Sequence, residues 1–515
     1  MARLLVAIIL GLFAGACSSQ PSSNAQSDTT PWGLSDMSGS VDGTSLDVTG
    51  PALDISDVED MAQSDLGTDD LGAETVNDAL TTDSISDTPQ WPFQISCNDS
   101  TSDIYALSVA DVDDDLPLGT VVGCAKFGVI APDKVALAAK GLGVEASAGI
   151  QMWRITYLTK RSFSAKAVAT ARVLIPDPPP EGPVSLVVVT HGTAGLADQC
   201  APSRTPPPHA MGIPFAGNDT VVVLPDYAGL GNEGVQGYHD SHDTAYSVLD
   251  SVKAIQSMFE TGFVSKDYAV IGHSQGGGAA LYAQGLAQEY LSDFKLKAVV
   301  AFAPGWTSSA TPDKSLYATP QFWPATMGAG VPMAAMALAH YADAYNHVDE
   351  DNPGLYFSDT WRDTIVDWIE NECVATMAAN FVELGAGVTA MDIFDPAFLM
   401  VSLSCLQDEP GCTEPSKSHI ERRKANYIPM DGAGAPVLIV QGMADEQVKP
   451  MKAACNVKAM GEGGFTPSVS VDPEATHFDI VKRNMGLATD WINGQFNDEM
   501  LPTWPFDASV LPTCD

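Results

Sequence analysis

The chain has 515 residues, 45% of them hydrophobic, with 65 acidic against 25 basic side chains and a formal net charge of −40. That length allows a large core and more than one structural unit. The charge excludes a nucleic-acid binder, which needs clustered Lys and Arg to neutralise phosphates. It is also uneven, since no Lys or Arg occurs between Arg3 and Lys126.

From the N-terminus, residues 1–17 give a basic start, an apolar run and small residues before Cys17. This is the pattern of a secretory signal peptide, too short for a transmembrane helix. Ala14-Gly15-Ala16-Cys17 also resembles a bacterial lipobox, with Ala14 where leucine is usual. Cleavage there would leave the Cys17 thiol to carry a lipid. The expectation is an exported bacterial lipoprotein held at the envelope membrane by that anchor, with plain secretion as the alternative. Residues 18–95 are rich in Ser, Thr, Asp and Gly and show no sustained period. Such a segment buries too little apolar surface to offset its ordering entropy, and reads as a disordered acidic tether. The run Asp111–Asp115 lacks the glycine a calcium loop needs, Leu116 standing there instead, so a solvated acidic turn is expected.

Residues 96–515 are expected to form one catalytic domain. Short aliphatic runs at Val184–Thr190, Thr220–Leu224, Tyr268–Gly272, Ala298–Phe302 and Pro436–Gln441 alternate with helical stretches. Buried parallel strands look like this. Ala245, Val248, Leu249, Val252, Ile255 and Phe259 recur at helical spacing between the second and third runs. The pattern predicts an α/β fold, a doubly wound, mostly parallel sheet. An insertion at about 305–430, helical around Val331–Tyr345 and Trp361–Leu384, separates the fourth and fifth runs. Ligands bind beyond the carboxyl ends of such strands, so this segment is expected to be a cap or lid. Eight cysteines besides Cys17 form an even set. In an exported chain they imply disulfides, and of the 105 possible pairings Cys405–Cys412 is the simplest local one.

Gly272-His273-Ser274-Gln275-Gly276 follows an apolar strand and opens a small-residue helix. This is the GxSxG nucleophile elbow in its strand–turn–helix setting, which makes Ser274 the candidate nucleophile. Serine needs a base oriented by an acid, and in an α/β-hydrolase both follow it in the order acid, then His. His340, His347 and His419 fall in the insertion, whereas His477 follows a candidate last strand at Pro467–Val471. Asp445 stands just after the preceding strand, with Glu446 and Asp472 as rivals. The backbone N–H groups of Gln275 and Thr193 are the candidate oxyanion donors, with Gly192 and Ala194 as alternatives to Thr193. His191 reads as a packing residue. No CxxC pair or HExxH motif occurs, and no metal or cofactor is expected.

Three blocks carry a resemblance. They are His191-Gly192-Thr193-Ala194-Gly195 with Cys200-Ala201-Pro202-Ser203, then Pro225–Gly231, then Gly272–Gly277. Together they are similar to the signature of the secretory lipase family, the fungal lipase A group and its bacterial relatives, over about residues 105–495. The resemblance implies an α/β-hydrolase core with an inserted lid, acting on carboxylic esters including acylglycerols. It also implies the same Ser274, Asp445 and His477 assignment. The acidic tether and lipid anchor depart from the usual family plan. The rival readings are a serine peptidase on the same fold and a non-catalytic surface binding protein.

Overall fold

The computed structural model describes residues 91–163, 166–205, 210–306, 330–385, 387–407, 410–499 and 510–514. The expected signal peptide, Cys17 and nearly all of the tether lie outside the described residues. The folded body is already present at Trp91, which is buried and donates its indole N–H to Pro176 O at 3.0 Å.

One nine-stranded sheet organises the described residues. Its strands are β1 (Val121–Ile130), β2 (Gly149–Thr159), β3 (Ala167–Asp177), β4 (Val184–Thr190), β5 (Thr220–Pro225), β6 (Val264–His273), β7 (Lys295–Phe302), β8 (Val437–Gly442) and β9 (Ser468–Asp472). They lie in the order β1-β2-β3-β5-β4-β6-β7-β8-β9. β1, β2, β3 and β5 pair antiparallel, and every pair from β5 through β9 is parallel. Each apolar run in the sequence is one of these parallel strands.

The helices are α1 (Thr101–Ala106), α2 (Pro132–Gly141), α3 (Ile213–Ala216), α4 (Ser241–Met258), α5 (Gln275–Tyr290), α6 (Gly330–His347), α7 (Arg362–Asn371), α8 (Val374–Glu383), α9 (Ala390–Ile393), α10 (Pro396–Leu406), α11 (Ser416–Ala425), α12 (Pro450–Glu462) and α13 (Ile480–Phe496). Alternation along the strands divides the core into two layers. Leu186 and Val188 of β4 pack with α4 and α5 on one face. Val187 and Val189 pack with α2, α3 and α13 on the other. Each such side chain, fully buried, contributes about 1.5–3 kcal/mol of hydrophobic stabilisation.

Helices α6 to α11 belong to the segment between β7 and β8 and have an apolar core of their own, which includes Met333, Leu338, Phe357, Phe381 and Phe394. The helical stretch expected over Trp361–Leu384 is two helices. Glu372 and Cys373 are extended at the break, and Cys373 is bonded to Cys200. The eight described cysteines pair as Cys97–Cys124, Cys200–Cys373, Cys405–Cys412 and Cys455–Cys514. The local pairing expected from sequence is among them. No described helix is long and apolar enough to cross a membrane.

Candidate active site

The site lies at the carboxyl ends of β4, β6, β8 and β9. Strand β6 runs into Ser274, whose backbone is left-handed at φ 58°, ψ −120°, and α5 begins at Gln275. A non-glycine residue held this way costs on the order of 1–3 kcal/mol, so the surroundings must impose it. They do so from three sides. Ser274 N–H donates to Phe302 O at 2.9 Å, Ser274 O accepts from Gly305 N–H at 2.8 Å, and Ser274 O accepts from Gly278 N–H at 3.1 Å. A Cβ on Gly276 would lie 2.0 Å from Thr190 O. Only glycine lets the helix start so close to the end of β4. The Thr190 hydroxyl donates to Gly276 O at 2.8 Å and fastens the same corner.

The two loops beyond β8 and β9 are tied to each other. Met443 N–H donates to Asp472 O at 2.9 Å and Ala444 N–H to Ala475 O at 3.0 Å. This brings Asp445 and His477 together from 32 residues apart. His477 Nδ1 donates to Asp445 Oδ2 at 2.8 Å, and its Nε2 is 3.0 Å from Ser274 Oγ. Asp445 Oδ1 accepts the Gln447 and Val448 amides, each at 2.8 Å, which hold the carboxylate in place. Asp445 and His477 are buried, at 3% and 4% exposure, so their contact is little screened by water. The His273 ring packs at 4.6 Å from the His477 ring. An arrangement of this kind can draw a proton from the serine hydroxyl and stabilise the imidazolium that results.

The rival acids do not reach His477. Glu446 is exposed, and Asp472 accepts from Arg483 at 2.8 Å. Hydrogen bonds from Arg483 and neighbouring groups hold the Asp472 carboxyl down at about 2. His340, His347 and His419 lie in the insertion, where His340 and His419 stack at 5.3 Å. His191 is buried, with Nδ1 2.6 Å from Gly192 O and Nε2 3.2 Å from Asp226 O. Burial keeps its pKa below the ordinary value. It packs, as the sequence suggested.

Gln275 is the first residue of α5, so its N–H has no acceptor within the helix. The loop after β4 passes over the serine, and a Cβ on Gly192 would lie 3.7 Å from that of Ser274. Thr193 Oγ1 is 2.7 Å from the hydroxyl of Tyr238. Sequence reasoning named neither Tyr238 nor the Gln447 and Val448 amides. Tyr238 stands in no motif, and backbone amides carry no residue signature.

Comparison with known proteins bears on the fold and the elbow segment. Residues 214–317 match the secretory lipase family. The matched stretch holds the second and third of the three sequence blocks, Ser274 included. Among curated proteins none matches in sequence. Candida antarctica lipase A in its closed state superposes with a TM-score of 0.59 at 16% identity, over 80% of this chain and 88% of that one. The rice cell wall degrading esterase LipA from Xanthomonas oryzae gives 0.58 at 18%, over 75% of this chain and 100% of that one. A putative hydrolase from Legionella pneumophila gives 0.58 at 17%, over 74% and 100%. These likenesses fix the fold as that of the α/β-hydrolases. With the family match spanning the elbow, the protein is a carboxylic ester hydrolase of the lipase and esterase kind.

Proposed function

We propose that the hydrolase cleaves acyl esters through Ser274, His477 and Asp445 by way of an acyl-enzyme. The observation that carries this reading is the unbroken hydrogen-bonded line from Asp445 through His477 to Ser274 at a strained elbow. Ser274 Oγ bonds to the ester carbonyl carbon while His477 Nε2 takes the hydroxyl proton. Asp445 keeps the imidazole in the tautomer that can accept it. The carbonyl oxygen becomes an oxyanion, which the amides of Gln275 and Thr193 receive. His477 then gives its proton to the alkoxide as the C–O bond breaks, and the alcohol leaves. Water repeats the sequence on the acyl-enzyme and frees the acid and Ser274. The substrates are esters or acylglycerols, and the helical segment between β7 and β8 acts as a cap over the site.

The test is hydrolysis of p-nitrophenyl esters from acetate to palmitate by the wild type and Ser274→Ala. Loss of ester cleavage in the variant supports the reading, and the preferred chain length separates an esterase from a lipase. A folded Ser274→Ala variant that retains the wild-type rate overturns it. The N-terminal signal, Cys17 lipidation and acidic tether belong to the same proposal. They predict that Cys17→Ala moves the protein from the membrane fraction to the medium.

A further inference from the structure

The loop that carries Thr193 is fastened to the helical insertion at several points, and these explain why α7 and α8 are two helices. Val374 is the first residue of α8, so its N–H has no partner within the helix. It donates instead to Ala194 O at 2.9 Å. The Gln199 side-chain amide donates to Asn371 O, the last residue of α7, at 2.7 Å. Between these hydrogen bonds the Cys200–Cys373 bridge joins loop and break covalently. Gly195 has φ +124°, and a Cβ on it would lie 3.1 Å from Cys200 Sγ and 3.2 Å from both Cys373 Cα and Glu372 O. From the other side, Tyr238 holds the Thr193 hydroxyl at 2.7 Å, and its ring is buried in the apolar core of the insertion. A continuous helix over this region would use the Val374 amide internally and leave Ala194 O without it.

We propose that the Cys200–Cys373 bridge and Tyr238 are positioning groups, through which the insertion holds the Thr193 amide where the oxyanion forms. The proposal rests on the acyl-transfer reading above. An oxyanion donor acts only if it is fixed before charge develops, and a displacement of about 1 Å is enough to cost roughly 100-fold in rate. Loosening the clamp therefore lowers turnover and leaves ester binding nearly as it was. In a reducing medium the same loss follows from opening the bridge, and reoxidation restores the rate.

The test compares wild type, Cys200→Ala with Cys373→Ala, Tyr238→Phe, and a control in which Cys405→Ala and Cys412→Ala remove the bridge internal to the insertion. With p-nitrophenyl butyrate, kcat falls about 10- to 100-fold in the first pair and about 5-fold in Tyr238→Phe, with KM within about 2-fold. Affinity for an alkyl trifluoromethyl ketone, which forms a hemiketal oxyanion on Ser274, falls in step with kcat. The control keeps both. If kcat and ketone affinity match wild type in folded Cys200→Ala/Cys373→Ala protein, the proposal is overturned. Where that pair does not fold, an unchanged kcat in Tyr238→Phe overturns it. Failure of the acyl-transfer reading looks different, since Ser274→Ala would then keep its ester hydrolysis whatever the clamp does.

Discussion

The sheet and the helical insertion solve the burial of charge in opposite ways. In the sheet layer, Asp226, Asp243 and Asp250 lie in or beside the core, and burial pushes each carboxyl upward. Asp243 reaches about 6 even though Arg161 pairs with it at 2.7 Å. In the insertion, burial also works to raise Asp343, but hydrogen bonds from Arg422 and His419 outweigh it. They hold the Asp343 carboxyl well below its usual 3.8. Arg422 approaches at 2.6 Å and His419 at 2.7 Å, and Tyr356 adds a third bond at 3.1 Å. The sheet thus rests on aliphatic packing and tolerates its acids, whereas the insertion is organised around one ionised acid. A buried charge of that kind is costly to leave unpaired.

The signs of the pH dependence therefore differ. The raised Asp243 contributes stability that is fully present below its unfolded pKa and is lost as pH rises through about 6. The depressed Asp343 contributes stability that is present above 3.8 and is lost as pH falls below it. Acidification from neutral to about pH 3 should loosen the insertion while the sheet holds. Amide exchange that rises in α6 and α11 before β4, β6 and β7 is the expected result. Simultaneous exchange would break the comparison.

The largest effect is expected where neither region's stability is at stake. Ser274→Ala should lower kcat by roughly 10⁴-fold or more while the thermal midpoint hardly moves, checked by ester turnover beside thermal melting. Next comes Asp343→Asn, which leaves Arg422 and His419 facing a neutral amide and should cost about 3–5 kcal/mol. Denaturant unfolding should show that loss confined to the insertion, with the acid sensitivity gone. Removal of the Cys405–Cys412 bridge, which spans a short loop within the insertion, should cost about 2 kcal/mol, read by the same unfolding experiment. Arg483→Ala should be smallest. Its pairs with Asp472 and Glu474 lie at the surface, where exposed ion pairs add little, and the midpoint should stay within experimental scatter.

Much of the sheet was legible because parallel strands buried on both faces must be continuous aliphatic runs. β1, β2 and β3 were not read as part of it. β2 and β3 carry Arg154 and Arg172 among their apolar residues, which interrupts the run in sequence. In the fold Arg154 lies 3.6 Å over the Phe127 ring and donates to Ser203 O and Arg204 O, and Arg172 donates to Pro202 O and Ser203 O. Those partners come from a loop beyond β4, so nothing local announces them.

By itself, the sequence determined the α/β order, the elbow at Ser274 and the chain order of Asp445 and His477. Each of these rests on short-range rules of apolar period, glycine at a tight turn, or position after a strand. Tertiary structure alone decided the break at Glu372 and Cys373, three of the four cysteine pairings, the Tyr238 contact with Thr193 and the depressed pKa of Asp343. These depend on which distant segments meet, and therefore on burial and on partners supplied by another part of the chain.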